Sequence, residues 1–292
     1  MPCSRLHDRE EEGRDEERGG GAAEPDPPRD RTRANTNAQR TPLACAGHVE
    51  PHLEVQPRPQ EAVAPPARLA RLDVHVAIET STRQGSVAVR RGTEIRRADL
   101  GESRAHASDL MPAIDRLVKE LGGTPDELAS VLVGTGPGSY TGLRVGIATA
   151  LGLARAAGAR ARGVSSGEVL SFGVLEPGRS AYHLIDGRSG GFYFAHFLRT
   201  DDEIEVLEPP IVLGREELPG RLAGSVTILT DDATAASSGL SPEMLERVRT
   251  DVRPDASALL ALGLARLERL GPHALDAIEP LYLRPFGQRH GE

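Results

Sequence analysis

The chain has one lysine among its 292 residues, Lys119, and that scarcity is informative. A P-loop needs a lysine just after its second glycine, so no P-loop is encoded. There are two cysteines, Cys3 and Cys45, both near the N-terminus, so no disulfide framework is indicated. No apolar run approaches the roughly 18 residues of a membrane span; the best, from Val145 to Ala154, stops at Arg155. No secretory apolar segment stands near the N-terminus, so a cytoplasmic location without membrane attachment is expected. Basic charge is also short: the net charge is −8. Proteins that grip nucleic acid unaided usually show a basic face, so any nucleic-acid role is expected to be indirect.

Residues 1–72 hold 10 of the 22 prolines, no Phe, Tyr or Trp, and the charged run DREEEGRDEERGGG. Their 11 Arg nearly balance 13 Asp plus Glu. Such a segment buries too little apolar area to offset ordering entropy, and it reads as disordered. It fits an interaction arm, a dispensable extension, or a start codon set upstream of the true one.

Regular patterning begins at Asp73. Val74 to Ile78 and Ser86 to Val89 read as strands around a polar turn, and Thr93 to Leu100 as a third. Leu110, Met111, Ile114, Leu117, Val118 and Leu121 recur at helical spacing, closed by Gly122-Gly123. Val131 to Val133 is a buried strand, followed by the turn GTGPGSYTG and a helix of small and apolar residues ending near Gly158. A strand, glycine turn and helix gather backbone N–H groups at a positive helix end, which suits a phosphate. The same glycines also serve a tight connection in which backbones pack closely, and both readings stand. No acidic residue follows at the distance a dinucleotide fingerprint requires. Gly142, Gly146 and Ala150, four residues apart, make a smooth stripe that another helix can approach.

A strand end at Gly163-Val164 and a helix from about Ser166 complete the first half. The second half repeats the order: strand Tyr182 to Ile185, a polar glycine turn from Asp186 to Gly191, strand Phe192 to Phe197, and strand Ile204 to Leu207. Val226 to Leu229 and a helix capped by Asp255 follow. A duplicated β-β-β-α-β-α unit predicts an actin-like (ribonuclease-H-like) α/β fold. Its lobes span 73–180 and 181–292, each with a mixed sheet and flanking helices.

The segments AIETS, HASDLMPAI, GTGPGSYTGLRVGIATALGLA, GVSSGEVL, IDGRSGGFYFA and EPLYLRP occur in this order between residues 77 and 285. Together they resemble the bacterial TsaB family, which partners the TsaD enzyme in forming threonylcarbamoyladenosine on tRNA. The resemblance implies the two-lobed fold and a non-catalytic, dimerising subunit. It requires no cofactor of its own, while ATP and Mg²⁺ serve a complex with TsaD-like and TsaE-like subunits. It further implies that two helices, about 108–121 and 141–157, pair with the partner's. The expected interface is Met111, Ile114, Val118, Gly142, Val145, Gly146, Thr149 and Ala150, and Gly146→Leu is expected to spare the fold and weaken association.

Departures from the family pattern count as well. The catalytic relatives' metal-binding His-x-x-x-His aligns here with Ser166 and Leu170, which offer no imidazole to a metal. Glu79 stands where Asp is usual, and Gly191 where Glu is common. His106, alone at a helix start, reads as a surface or capping residue. No catalytic set and no metal site is nominated. Phosphate or nucleotide loops, if present, would use Glu79, Ser81, Gly136, Gly138, Ser139 and Asp186. Two other roles remain open: an actin-like ATPase or kinase with Glu79 and Asp186 around Mg²⁺, and a homodimeric binding module.

Overall fold

A computed structural model describes residues 73–102, 106–187, 191–222 and 224–283. The extension at 1–72 and the tip of the second glycine turn, 188–190, lie outside the described residues, as does the His106 side chain.

The first half runs β1 (Val74–Glu79), β2 (Gln84–Arg91), β3 (Glu94–Glu102), α1 (His106–Glu120), β4 (Leu128–Gly134), α2 (Tyr140–Ala157), β5 (Arg160–Val164) and α3 (Ser166–Val174). The second runs β6 (Ser180–Asp186), β7 (Gly191–Arg199), β8 (Ile204–Gly214), α4 (Leu218–Arg221), β9 (Thr227–Leu229), α5 (Asp232–Ser238), α6 (Pro242–Leu245), β10 (Val248–Arg249) and α7 (Ala256–Leu270). The two sheets have matching orders, β3-β2-β1-β4-β5 and β10-β9-β6-β7-β8. In each, a three-strand antiparallel meander is extended by two parallel strands beside its first member.

Side-chain alternation along β1 separates two cores. Val74, Val76 and Ile78 face α1 and α2, while Ala77 joins Ala88 and Leu132 on the opposite face. That second face meets α3 and α7, which also pack on Ala195, Phe197 and Ile204 of the other sheet. Thus the closing helix of each half sits between the sheets. The far side of the second sheet is covered by the short helices, with Leu218, Leu222 and Ile228 in one cluster with Phe192 and Phe194.

Local chemistry accounts for the boundaries. Ser139 caps α2 by accepting from the Gly142 N–H at 3.2 Å, and Gly158 ends it with φ 66°. Asp255 caps α7 by accepting from the Ser257 N–H at 2.8 Å. The strand β8 extends past Leu207 through Pro209-Pro210, tolerable because β8 is a sheet edge. No described helix is long and apolar enough to cross a membrane.

Candidate functional site: an interlobe cleft and the outer face of two helices

The glycine turn after β4 is packed against the β1–β2 turn. Ser139 N–H donates to the Ser81 carbonyl at 2.6 Å, and the Thr80 hydroxyl donates to the Gly142 carbonyl at 2.8 Å. A Cβ on Gly138 would lie 2.2 Å from the Ser81 carbonyl oxygen; on Gly142, 2.1 Å from that of Thr80; on Gly146, 2.2 Å from Thr80 Oγ1. These three glycines exist because residues 80–81 lie directly on them. The smooth stripe therefore faces into the protein, which corrects the expected interface. Gly142, Gly146 and Ala150 are buried, and so are Ile114 and Val118 on α1. Val145 and Thr149 are half-buried, and Met111, at 47% exposure, is open to solvent. The outward face of α2 is instead Thr141, Arg144, Ala148, Gly152 and Arg155. At its end, Arg144 donates to the Tyr282 hydroxyl at 2.9 Å and lies 4.0 Å over the Tyr140 ring.

Glu79 is not a cleft carboxylate, which counts against the alternative in which it and Asp186 flank Mg²⁺. It is buried, its Oε1 accepting from the Ser81 N–H at 2.8 Å and its Oε2 from the Ser166 hydroxyl at 3.0 Å. Ser166 Oγ in turn accepts from the Gly136 N–H at 3.1 Å. At one position aligned with the relatives' metal pair, then, a hydroxyl ties the glycine turn to a buried acid. At the other, Leu170 packs with Ala181 and Leu229. Burial pushes the Glu79 pKa up, against the lowering by bonds from Ser81 and Ser166. A folded-state pKa above the unfolded value means that stability, full below about 4.5, falls as pH rises through the folded value. Glu79→Gln keeps the shape without the charge. It should melt at a higher temperature than the parent at pH 8 and match it at pH 4; parallel melting curves across that range would refute the account.

Between the lobes lies a cleft of about 740 Å³. Ser81, Gly138 and Ser139 line one wall and Asp186 the other, whereas Glu79 and Gly136 sit behind it. Sequence reasoning missed Thr230, Asp231, Asp232, Asp251, His183, Arg83 and Arg253, which also line it. The signal for Asp231 was available: it caps α5, accepting from the Thr234 N–H at 2.9 Å and hydroxyl at 2.7 Å. The N–H groups of Gly136, Ser139, Gly142 and Leu143 are all donated inside the protein. Four aspartates outnumber two arginines in the lining, and Arg253 is engaged by Gln84 at 2.6 Å and Asp99 at 2.9 Å. Among the described residues no three His, Cys, Asp or Glu converge as metal ligands would.

Two matching sheets, a cleft between them and closing helices shared across the middle define the duplicated actin-like class of α/β proteins. Two solved structures from Pseudomonas aeruginosa share this fold. One, described as an uncharacterized protein with similarity to peptidase YEAZ, aligns with TM-score 0.62 at 23% identity over 73% of this chain and 100% of its own. The other, described as YeaZ, aligns with TM-score 0.61 at 23% identity over 72% of this chain and 100% of its own. Residues 101–214 match the family model for TsaD, tRNA N6-adenosine threonylcarbamoyltransferase. The tRNA threonylcarbamoyladenosine biosynthesis protein TsaB of Escherichia coli K12 is 29% identical over 220 residues, 72% of this chain and 94% of that protein. Its Haemophilus influenzae namesake is 28% identical over 222 residues, 72% and 92%. A Mycobacterium bovis protein described as uncharacterized is 31% identical over 153 residues, 50% of this chain and 67% of its own. Along both lobes the chain is similar to tRNA threonylcarbamoyladenosine biosynthesis proteins named TsaB.

Proposed function

We propose that this chain is a non-catalytic subunit in the formation of N6-threonylcarbamoyladenosine beside the anticodon of tRNA, where it binds and activates a TsaD-type transferase in the cytoplasm. Similarity to TsaB proteins along both lobes carries the reading. On this reading the chain needs no cofactor; ATP and Mg²⁺ serve the complex, which includes a TsaE-like ATPase, and tRNA contacts this subunit only indirectly. The glycine turn, with the N–H groups of Gly136, Ser139 and Gly142 used internally, favours a scaffold over an actin-like ATPase. The partner-facing surface is the outer side of α1 and α2: Met111, Thr141, Val145, Ala148, Thr149 and Gly152. When the partner is absent the same face serves self-association.

Depleting the protein should lower threonylcarbamoyladenosine in bulk tRNA, read by mass spectrometry of nucleosides; unchanged levels would remove the reading. At the surface, Gly152 has nothing within 4 Å of a built Cβ. Gly152→Leu should therefore leave the melting temperature unchanged or raise it, since glycine in a helix costs about 1 kcal/mol against good helix formers. The same variant should weaken association with the transferase in a pull-down or titration. Undiminished association would place the interface elsewhere.

A further inference from the structure

The chain passes between the two sheets twice, from β5 through α3 to β6 and from β10 to α7, and the two passages are held differently. The first is held by buried groups. Ser166 N–H donates to the Gly136 carbonyl at 2.8 Å, and its hydroxyl to Glu79 at 3.0 Å. The second is held by charges at the surface. Arg253 donates to Gln84 Oε1 at 2.6 Å and to Asp99 at 2.9 Å. Asp99 also accepts from Arg97 at 2.6 and 3.0 Å, and Arg97 donates to Asp255 at 2.5 Å. Exposure of these four charged side chains runs from 29% for Asp255 to 42% for Asp99. Gln84, Arg253 and Pro254 line the cleft, so Arg253 joins its first-lobe wall to the loop that leaves the second lobe.

Salt scarcely touches the buried bonds, whereas exposed pairs lose most of their attraction once ions shorten the Debye length. A lone surface pair is worth little, but a network with a bidentate arginine is the arrangement in which such pairs count. Asp255 and Arg97 fix Asp99 in place, and Arg253 is the closing link. We propose that this network is a clasp: it holds the cleft at its present width when ionic strength is low and lets the cleft widen when ions screen it. The buried passage at Ser166 serves as the pivot. Release does not require unfolding, because the Ala256 N–H donates to the buried Ser86 hydroxyl at 2.9 Å and keeps α7 seated on the first sheet. What the clasp frees is the loop at 250–254 and the second sheet behind it.

The test is the distance across the cleft in the full chain, independent of any tRNA assay. Pulsed electron paramagnetic resonance reads it between nitroxide labels at Arg83→Cys and Ala233→Cys, exposed residues that line the cleft, with Cys3→Ser and Cys45→Ser. In about 0.01 M NaCl, where the Debye length is about 30 Å, one short distance is expected; in about 1 M, where it is about 3 Å, a longer one joins it. Arg253→Ala should show the longer distance already in low salt. Arg249→Ala removes a 3.8 Å pair with Asp251 that does not reach the first lobe, and it should match the parent. Helix content by circular dichroism should stay the same throughout, since the clasp lies outside the cores. A parent distance unmoved by salt would overturn the proposal, as would a parent-like distance for Arg253→Ala in low salt. So would equal lengthening in Arg249→Ala, which would mean general loosening by lost charge, or lengthening accompanied by lost helix, which would mean unfolding.

Discussion

Gly146→Leu should unfold the chain rather than uncouple it from a partner. Even alanine would set a Cβ 2.2 Å from Thr80 Oγ1, and 3.4 Å from the Ile78 side chain. Thr80 is fully buried, and its hydroxyl is held by the Gly142 carbonyl at 2.8 Å. Turning the hydroxyl aside breaks that bond and leaves a buried carbonyl short of its donor, which costs about 1–3 kcal/mol. The remaining leucine atoms then press α2 off β1, adding an overpacking cost of about the same size. The sum, several kcal/mol, is a large fraction of the 5–15 kcal/mol that stabilises an ordinary domain. Circular dichroism with urea denaturation reads the outcome: a midpoint far below the parent's, or no cooperative transition at all. A parent-like midpoint would mean the β1–β2 turn can move away from α2. Set beside Gly152→Leu on the same helix, the experiment separates an inward glycine from an outward one six positions on.

The same helix shows where sequence reasoning worked and where it stopped. The strand, turn and helix from 131 to 158 were legible because apolar period, glycines and the Ser139 cap are local signals. Which side of α2 faced the protein was not. The helix is apolar on most sides, so periodicity did not pick a face, and a glycine stripe fits an inner contact and an outer one equally well. The decision rests with Thr80 and Ser81, some 60 residues earlier in the chain, whose backbone lies on Gly138 and Gly142. Glu79 misled in a similar way. Its place after an apolar strand reads as a cleft carboxylate, and it is the long-range Ser166 hydroxyl that turns it inward. In the second half, α4, α5, α6 and β10 are two to seven residues long, too short for a periodic pattern to register, and the loops beside them, at Thr230-Asp231 and 250–254, carry much of the cleft wall. The two-residue β10 is placed by its pairing with β9, a tertiary fact.

Arg266→Ala should be the other severe substitution, because it strands two acids between the sheets. Arg266, on α7, donates to Glu203 at 2.5 and 2.8 Å and to Glu168 of α3 at 2.6 Å. Exposure is 12% for Arg266 and 13% for the Glu168 side chain, so water cannot replace the guanidinium. Burial alone would raise the Glu203 pKa; its bonds to Arg266 and the Ile204 N–H outweigh this and hold the carboxyl below its usual range. Removing one member of a buried pair costs about 3–5 kcal/mol. Arg269, which also contacts Glu203, should keep the loss toward the lower end. The pH dependence follows from the sign of that shift. A depressed carboxylate pKa contributes stability above about 4.5 that is lost as pH falls through the folded value. Arg266→Ala should therefore lose most at pH 7 and draw closer to the parent at pH 3.5. Because an apolar replacement of a whole buried pair is often neutral, Arg266→Leu combined with Glu168→Leu should regain much of the loss. Urea midpoints of the parent, both single variants and the double variant give the coupling. Strictly additive midpoints would show that Arg266 and Glu168 act independently, and that α3 and α7 are held together by apolar packing alone.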